Sequence, residues 1–157
     1  MDPADLLSGA RYLAERGANK RPRQADLKRA MSSIYYALFH ALARTCADML
    51  IGGRNSDRAD AAWRQIYRSL EHGLAASQCA NKAAIVRFPK EIQDVANSFL
   101  IMQKKRHEAD YDPAFRTFKP EVLLDLAAVQ RVIELFVKSK ARDRRAFAAF
   151  ILFRTRK

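Results

Sequence analysis

Apolar residues recur at steps of three and four along most of the chain, the spacing that places them on one face of an α-helix. Near the start, Asp2 and Pro3 favour a helix N-terminus, because Asp caps free backbone N–H groups and Pro suits the first helical position. An apolar stripe continues to Ala14, and Gly17 is the predicted stop. The pattern therefore predicts a first helix, followed by a basic linker over residues 19–23.

The longest predicted helix begins at Gln24, ends at about Ile51 and is followed by two glycines. Two apolar stripes share it, so we expect a wide buried surface and a central position. A third stripe contains small and polar residues, which indicates a close helix contact or a functional face: Arg29, Ser33, Tyr36, His40, Ala43 and Ala47.

The remaining sequence predicts three further helices. One starts at a cap among Asn55, Ser56 and Asp57 and carries apolar residues as far as Leu74, and a loop is expected over residues 77–87. Another lies between Phe88-Pro89 and Asp112-Pro113. The last begins near Pro120, and no sequence signal marks its end before the basic tail.

No segment alternates apolar and polar residues in the manner of a strand. We therefore predict an all-α protein, an antiparallel bundle of about five helices. Residues 1–137 form the bundle in this prediction, and residues 138–157 form a basic C-terminal extension that is itself helical.

Charge is the informative part of the composition. The chain has 29 basic and 17 acidic residues and a net charge of +12, and eight of the basic residues with one acid lie after Val137. Clustered positive charge favours a polyanion through counterion release, so a nucleic acid is one expected partner; the alternative is a tail that aids solubility. Candidate binding residues in this tail are Arg142, Arg144 and Arg145.

Several kinds of site lack support in the sequence. No stretch approaches the roughly 20 apolar residues that cross a bilayer, and Cys46 and Cys79 make neither a disulfide framework nor a zinc site. Glycine-rich phosphate loops, paired catalytic carboxylates and metal-ligand spacings are also missing. We expect a cytoplasmic protein with no cofactor and no metal.

Arg106 is the leading candidate for chemistry, because it follows Phe99 and Met102 in an apolar seam that should bury its side chain. The competing interpretation is a local ion pair with Asp110, four residues later on the same helix. A lone histidine such as His40 is more often a packed, hydrogen-bonded imidazole than a catalyst. His72 is predicted to lie on a solvated face of the third helix.

Two runs resemble signatures of the HEPN family. Residues 33–41, Ser-Ile-Tyr-Tyr-Ala-Leu-Phe-His-Ala, are similar to its Tyr-Tyr-Ala-x-Phe-His-Ala signature. Residues 106–111, Arg-His-Glu-Ala-Asp-Tyr, resemble its second signature, an Arg followed by Ala-Asp-Tyr. Both runs fall on the predicted second and penultimate long helices, and the resemblance covers about residues 24–137.

The resemblance implies a helical bundle that dimerises through the faces bearing the two runs. Many HEPN proteins are metal-independent ribonucleases of toxin–antitoxin, CRISPR-linked and phage-defence systems, and others are non-cleaving partners of nucleotidyltransferases. Active members use an Arg, an adjacent polar residue and a His downstream. Arg106 and His107 match the first two, whereas Tyr111, Asp112 and Pro113 stand where that His would be.

Three functions are consistent with these observations. The first is an RNA-binding or nucleotidyltransferase-partner module that acts as a homodimer in a toxin–antitoxin or defence-type system, with Ser33, Tyr36 and His40 on its binding face. The second is an active endoribonuclease whose catalytic candidates are Arg106, His107, Asp110 and Tyr111. The third is a helical interaction protein that docks on an acidic partner or a membrane through its tail, where four apolar residues lie between arginine clusters: Phe147, Phe150, Ile151 and Phe153.

Overall fold

A computed structural model describes residues 1–16 and 21–155, and these residues form helices and connecting turns without a strand. The helices are α1 (Pro3–Ala14), α2 (Gln24–Leu50), α3 (Asp60–Arg68), α4 (His72–Cys79), α5 (Lys82–Ile85), α6 (Lys90–Tyr111), α7 (Lys119–Lys138) and α8 (Ala141–Leu152). The all-helical prediction is confirmed. Eight helices replace the expected five or so within these residues, because three of them are short pieces of four to nine residues.

The first two helices follow the predicted local chemistry. The Asp2 side chain accepts a hydrogen bond from the Ala4 backbone N–H at 2.9 Å, and Pro3 opens α1. Gly17, the predicted stop, and residues 19–20 of the linker lie outside the described residues. α2 ends as predicted before a glycine pair, where Gly52 has a φ of 131° that L side chains rarely adopt.

α2 is the central helix of the fold. Its apolar stripes are buried, and it contacts α1, α3, α6, α7 and α8. The core also holds both cysteines, which are free and buried. No helix within the described ranges is both long and apolar enough to cross a membrane.

The predicted third helix was wrong, because residues 60–79 form two helices. α3 begins after Ala59 instead of a cap among Asn55, Ser56 and Asp57. It ends near Ser69, whose hydroxyl donates to the Gln65 carbonyl at 2.7 Å and competes with continued helix formation. The predicted loop over residues 77–87 was also wrong, since it contains the end of α4 and all of α5.

The C-terminal helix is part of the core. α7 ends at Lys138, and the chain turns at Ser139, whose hydroxyl donates to the Phe136 carbonyl at 2.7 Å. α8 then packs against α2, α4 and α6, with four of its residues buried: Phe147, Ala148, Ile151 and Leu152. Two of the four apolar tail residues are therefore buried in the core, and Phe153 is exposed.

Candidate functional site around Arg106

Arg106 is a buried arginine surrounded by tyrosine rings. It lies on α6 one turn after Met102, and 8% of its surface is accessible. Its guanidinium carbon is 5.2 Å from the centre of the Tyr35 ring, 5.9 Å from that of Tyr36 and 6.0 Å from that of Tyr111. Aromatic faces attract a cation, so the three rings favour a charged guanidinium at this position.

The hydrogen bonds of Arg106 are incomplete. Its Nη1 donates to Asp110 Oδ2 at 3.4 Å, and its Nη2 lies 3.3 Å from His107 Nε2. Its Nε is the one buried side-chain nitrogen or oxygen atom in the described residues that has no hydrogen-bond partner. A buried N–H without a partner costs roughly 1–3 kcal/mol, so the guanidinium retains donor capacity for an anion.

The ion pair between Arg106 and Asp110 exists, but Asp110 is shared. Its second carboxylate oxygen accepts a hydrogen bond from the Ser32 hydroxyl at 2.5 Å. Burial favours the neutral form of Arg106, but Tyr36, Asp110 and Tyr35 outweigh this effect and raise the pKa of the guanidinium above its ordinary value. Arg106 therefore stays positively charged in its aromatic surroundings.

His72 is the residue that the sequence interpretation placed wrongly. It is the first residue of α4, is half-buried, and stacks on Phe39 with ring centres 4.0 Å apart. Its Nδ1 is 2.5 Å from the Tyr35 hydroxyl oxygen. The contact joins residues 37 positions apart, so helical spacing along the chain gives no sign of it.

His72 and Arg106 share the same two tyrosines. The centre of the His72 ring is 5.6 Å from that of Tyr35 and 6.0 Å from that of Tyr36, distances similar to those of the guanidinium carbon. Burial raises the pKa of Tyr35 to about 12, so its hydroxyl remains protonated near neutral pH. Burial and then the charge of Arg106 lower the pKa of His72.

His40 lies in a neighbouring aromatic stack. Its Nδ1 is 2.6 Å from the Tyr67 hydroxyl oxygen, and its ring stacks on Tyr67, which in turn stacks on Trp63. Burial lowers the pKa of His40. Of the predicted binding stripe, Tyr36 contacts Arg106 directly, whereas Ser33 is half-buried and its neighbour Ser32 makes the bond to Asp110.

The three tail arginines lie elsewhere. Arg145 Nε donates to the Met49 carbonyl at 3.3 Å, and Arg144 Nε donates to the Ser139 carbonyl at 3.2 Å. Arg142 is largely exposed beside Asp143. Met49 follows Tyr35 by 14 residues on α2, which is about 21 Å along the helix at 1.5 Å per residue. Arg106 and the start of α8 are therefore two separate positive regions.

Residues 1–16 and 21–155 contain no group of three or more His, Cys, Asp or Glu side chains arranged to hold a metal ion. The site instead offers one buried guanidinium, two imidazoles and several phenols. No protein-family model, curated protein or solved structure matches the chain.

Proposed function

We propose that this chain is a HEPN-like RNA-binding module that holds a phosphate of the RNA with Arg106. The observation that carries the proposal is the buried guanidinium with a free Nε–H in a cage of tyrosines. Arginine binds phosphate through parallel charge-assisted hydrogen bonds, which are stronger than neutral ones. Because Nε is buried in the free protein, a phosphate would satisfy this donor once the side chains that cover it move aside.

The arrangement of the two HEPN-like runs supports this proposal. Tyr35 and Tyr36 come from the first run, Arg106 and Tyr111 come from the second, and all four side chains belong to the same cage. The two runs are about seventy residues apart in the chain, so α2 and α6 must pack together for these side chains to meet. Exposed Tyr111 also offers a ring on which an unpaired base can stack.

The net charge of +12 supports RNA as the source of the phosphate. The basic start of α8 would contact a different part of the same RNA, since it lies about 21 Å away along α2. In this proposal the site near α6 selects a phosphate in a defined geometry, and α8 adds affinity that depends on salt.

We also propose that the module is a cytoplasmic homodimer of a toxin–antitoxin or defence-type system, with a nucleotidyltransferase as its protein partner. The half-buried stripe of Ser33, Tyr36 and His40 and the exposed Tyr111 would lie near the two-fold axis. Light scattering at tens of micromolar should report twice the monomer mass of 17.9 kDa. A monomer at that concentration would overturn the dimer.

A second function, metal-independent RNA cleavage, is favoured by one contact. His107 Nε2 approaches Arg106 Nη2 to 3.3 Å, although neighbouring residues on a helix project about 100° apart. An imidazole beside a phosphate-binding guanidinium can transfer protons during cleavage.

The test of RNA binding is fluorescence anisotropy with a labelled single-stranded RNA in EDTA, comparing wild type with Arg106→Ala. Arg131→Ala is the matched control, because Arg131 is an exposed α7 arginine whose loss changes the net charge equally. Removing a charge-assisted contact of about 1.5–3 kcal/mol should weaken binding about tenfold or more for Arg106→Ala. If the two substitutions weakened RNA binding equally, Arg106 would contribute only its charge, like any exposed arginine.

A further inference from the structure

His72 is a half-buried histidine that the proposed RNA binding does not require. Tyr35 bonds its Nδ1 and Phe39 covers one ring face, so the ring is held in a fixed orientation. The second ring nitrogen, Nε2, makes no hydrogen bond to the described residues. An oriented imidazole with one free nitrogen is the form that a general base takes in an active site.

We propose that His72 is the general base of a ribonuclease site in which Arg106 holds the phosphate and His107 is the general acid. The inference rests on the proposed RNA phosphate site at Arg106. It assigns the proton acceptor to α4, whereas the sequence placed all four catalytic candidates on α6.

The position of His72 is fixed by a bond to α6. Gln103 Nε2 donates to the His72 carbonyl oxygen at 3.1 Å, and Gln103 precedes Arg106 by three residues, about 4.5 Å along the helix axis. The start of α4 is thereby tied one turn from Arg106. The shared contacts with Tyr35 and Tyr36 set both groups beside the same rings.

The charged and titratable surroundings keep His72 neutral, as a base must be. Tyr35, Tyr36 and His40 face it from α2, and Arg106 and His107 face it from α6. Burial, Arg106 and the two other histidines all lower its pKa, and its place at the N-terminus of α4 also disfavours an imidazolium. Tyr35 stays protonated, so no anion beside the ring opposes these effects.

The reaction balances with the groups present. In this mechanism the neutral His72 ring carries its hydrogen on Nδ1, which donates to the Tyr35 hydroxyl oxygen, so Nε2 is the acceptor. His72 Nε2 takes the proton of the ribose 2′-hydroxyl, and the 2′-oxygen bonds to the phosphorus held by Arg106. The bond from phosphorus to the 5′-oxygen breaks, and that oxygen takes a proton from the His107 imidazolium. The products are a 2′,3′-cyclic phosphate and a 5′-hydroxyl, with His72 protonated and His107 neutral at the end.

The experiment follows cleavage of a 5′-labelled single-stranded RNA in EDTA, and the same samples are tested for RNA binding by anisotropy. We expect wild type to yield 2′,3′-cyclic phosphate ends, and no cut where the RNA carries a 2′-deoxy residue. His72→Gln and His72→Asn, which keep a polar atom near Nε2 and Nδ1 respectively, should each lose about 100-fold or more in cleavage rate. Both should bind RNA as wild type does.

The pH dependence of the wild-type enzyme gives a second measurement that needs no variant. A base works deprotonated, so the cleavage rate should fall as pH drops through the pKa of His72. Because that pKa is lowered, the fall should lie below the ordinary histidine value of about 6.5. The pKa of His72 measured by NMR should equal the pH at which the cleavage rate has fallen to half its maximum.

Each outcome decides between the two proposals. RNA bound without cleavage would overturn the role of His72 and leave the proposed RNA binding intact. Cleavage that survives both His72 substitutions would also overturn it. A protein that neither binds nor cuts RNA would overturn both proposals together.

Discussion

Replacing Arg106 by lysine keeps the positive charge of the site and removes its planar fork. The ammonium of lysine is a single point of charge, whereas the guanidinium presents parallel donors and lies flat against aromatic rings. Arg106 is 8% exposed and has three tyrosines within about 6 Å, so the substitution affects both packing and binding. We expect the fold to survive and RNA affinity to fall.

The magnitudes follow from the interactions of the guanidinium. Lysine can still make cation–π contacts, but its ammonium cannot lie flat on the rings, so the weakened contacts should cost about 1 kcal/mol of unfolding free energy, which for a domain of this size lowers Tm by about 2–4 °C. A bidentate, charge-assisted bond to phosphate is worth about 1.5–3 kcal/mol. RNA affinity should therefore fall on the order of 10- to 100-fold.

Asp110→Asn separates this account from a purely structural ion pair. The pair has a long separation of 3.4 Å and a partly exposed carboxylate, so it is worth at most about 1 kcal/mol. The asparagine side chain can still accept the hydrogen bond from Ser32. It carries no negative charge, so it no longer competes with a phosphate for Arg106. RNA affinity should stay the same or increase, measured by anisotropy beside thermal unfolding.

The two substitutions together can refute the reasoning. If Arg106→Lys and Asp110→Asn gave equal, small decreases in stability and left RNA binding unchanged, the turn would be scaffolding. The phosphate site would then have to lie elsewhere on the protein.

Three other predictions concern the rest of the fold. Phe147→Ala should lower the unfolding free energy by about 3–5 kcal/mol in urea titrations, since the ring is buried in the core; a cost near zero would show that α8 does not stabilise the bundle. Changing Arg142 and Arg145 to glutamine should make RNA binding less sensitive to salt. The slope of log K against log salt concentration should decrease in size by about 0.7–0.9 for each phosphate that the variant no longer neutralises, and an unchanged slope would exclude this end of α8 from RNA binding. The hydrogen bond from Arg23 holds the pKa of Asp26 at about 2. The Asp26 carboxylate should therefore contribute fully to stability above about pH 4, and this contribution should disappear as pH falls towards 2. If Asp26→Asn lost the same amount of stability between about pH 4 and about pH 2 as wild type does, the prediction would be wrong.

The long helices and the burial of Arg106 could be predicted from sequence, because both follow from spacing within one segment. The apolar stripes define α2 and α6, and the seam through Phe99 and Met102 places Arg106 at a buried position. Local patterns of this kind need no knowledge of what packs against the segment.

The break between α3 and α4 could not be predicted in the same way, because apolar spacing continues across it to Leu74. The packing of α8 against the bundle was also not predicted, because its many basic residues indicated an exposed tail, although one face of the helix is apolar and buried. His72 depends on a contact with Tyr35 from another helix, and its local sequence contains no sign of that partner.

The most direct test of the central claim observes the Nε–H group of Arg106 by NMR while single-stranded RNA is added, with the resonance assigned from the Arg106→Lys variant. This N–H has no hydrogen-bond partner in the described protein. If Arg106 holds an RNA phosphate, its signal should shift on RNA addition and saturate at the Kd measured by anisotropy. A signal that stays in place while the protein binds RNA would contradict the account.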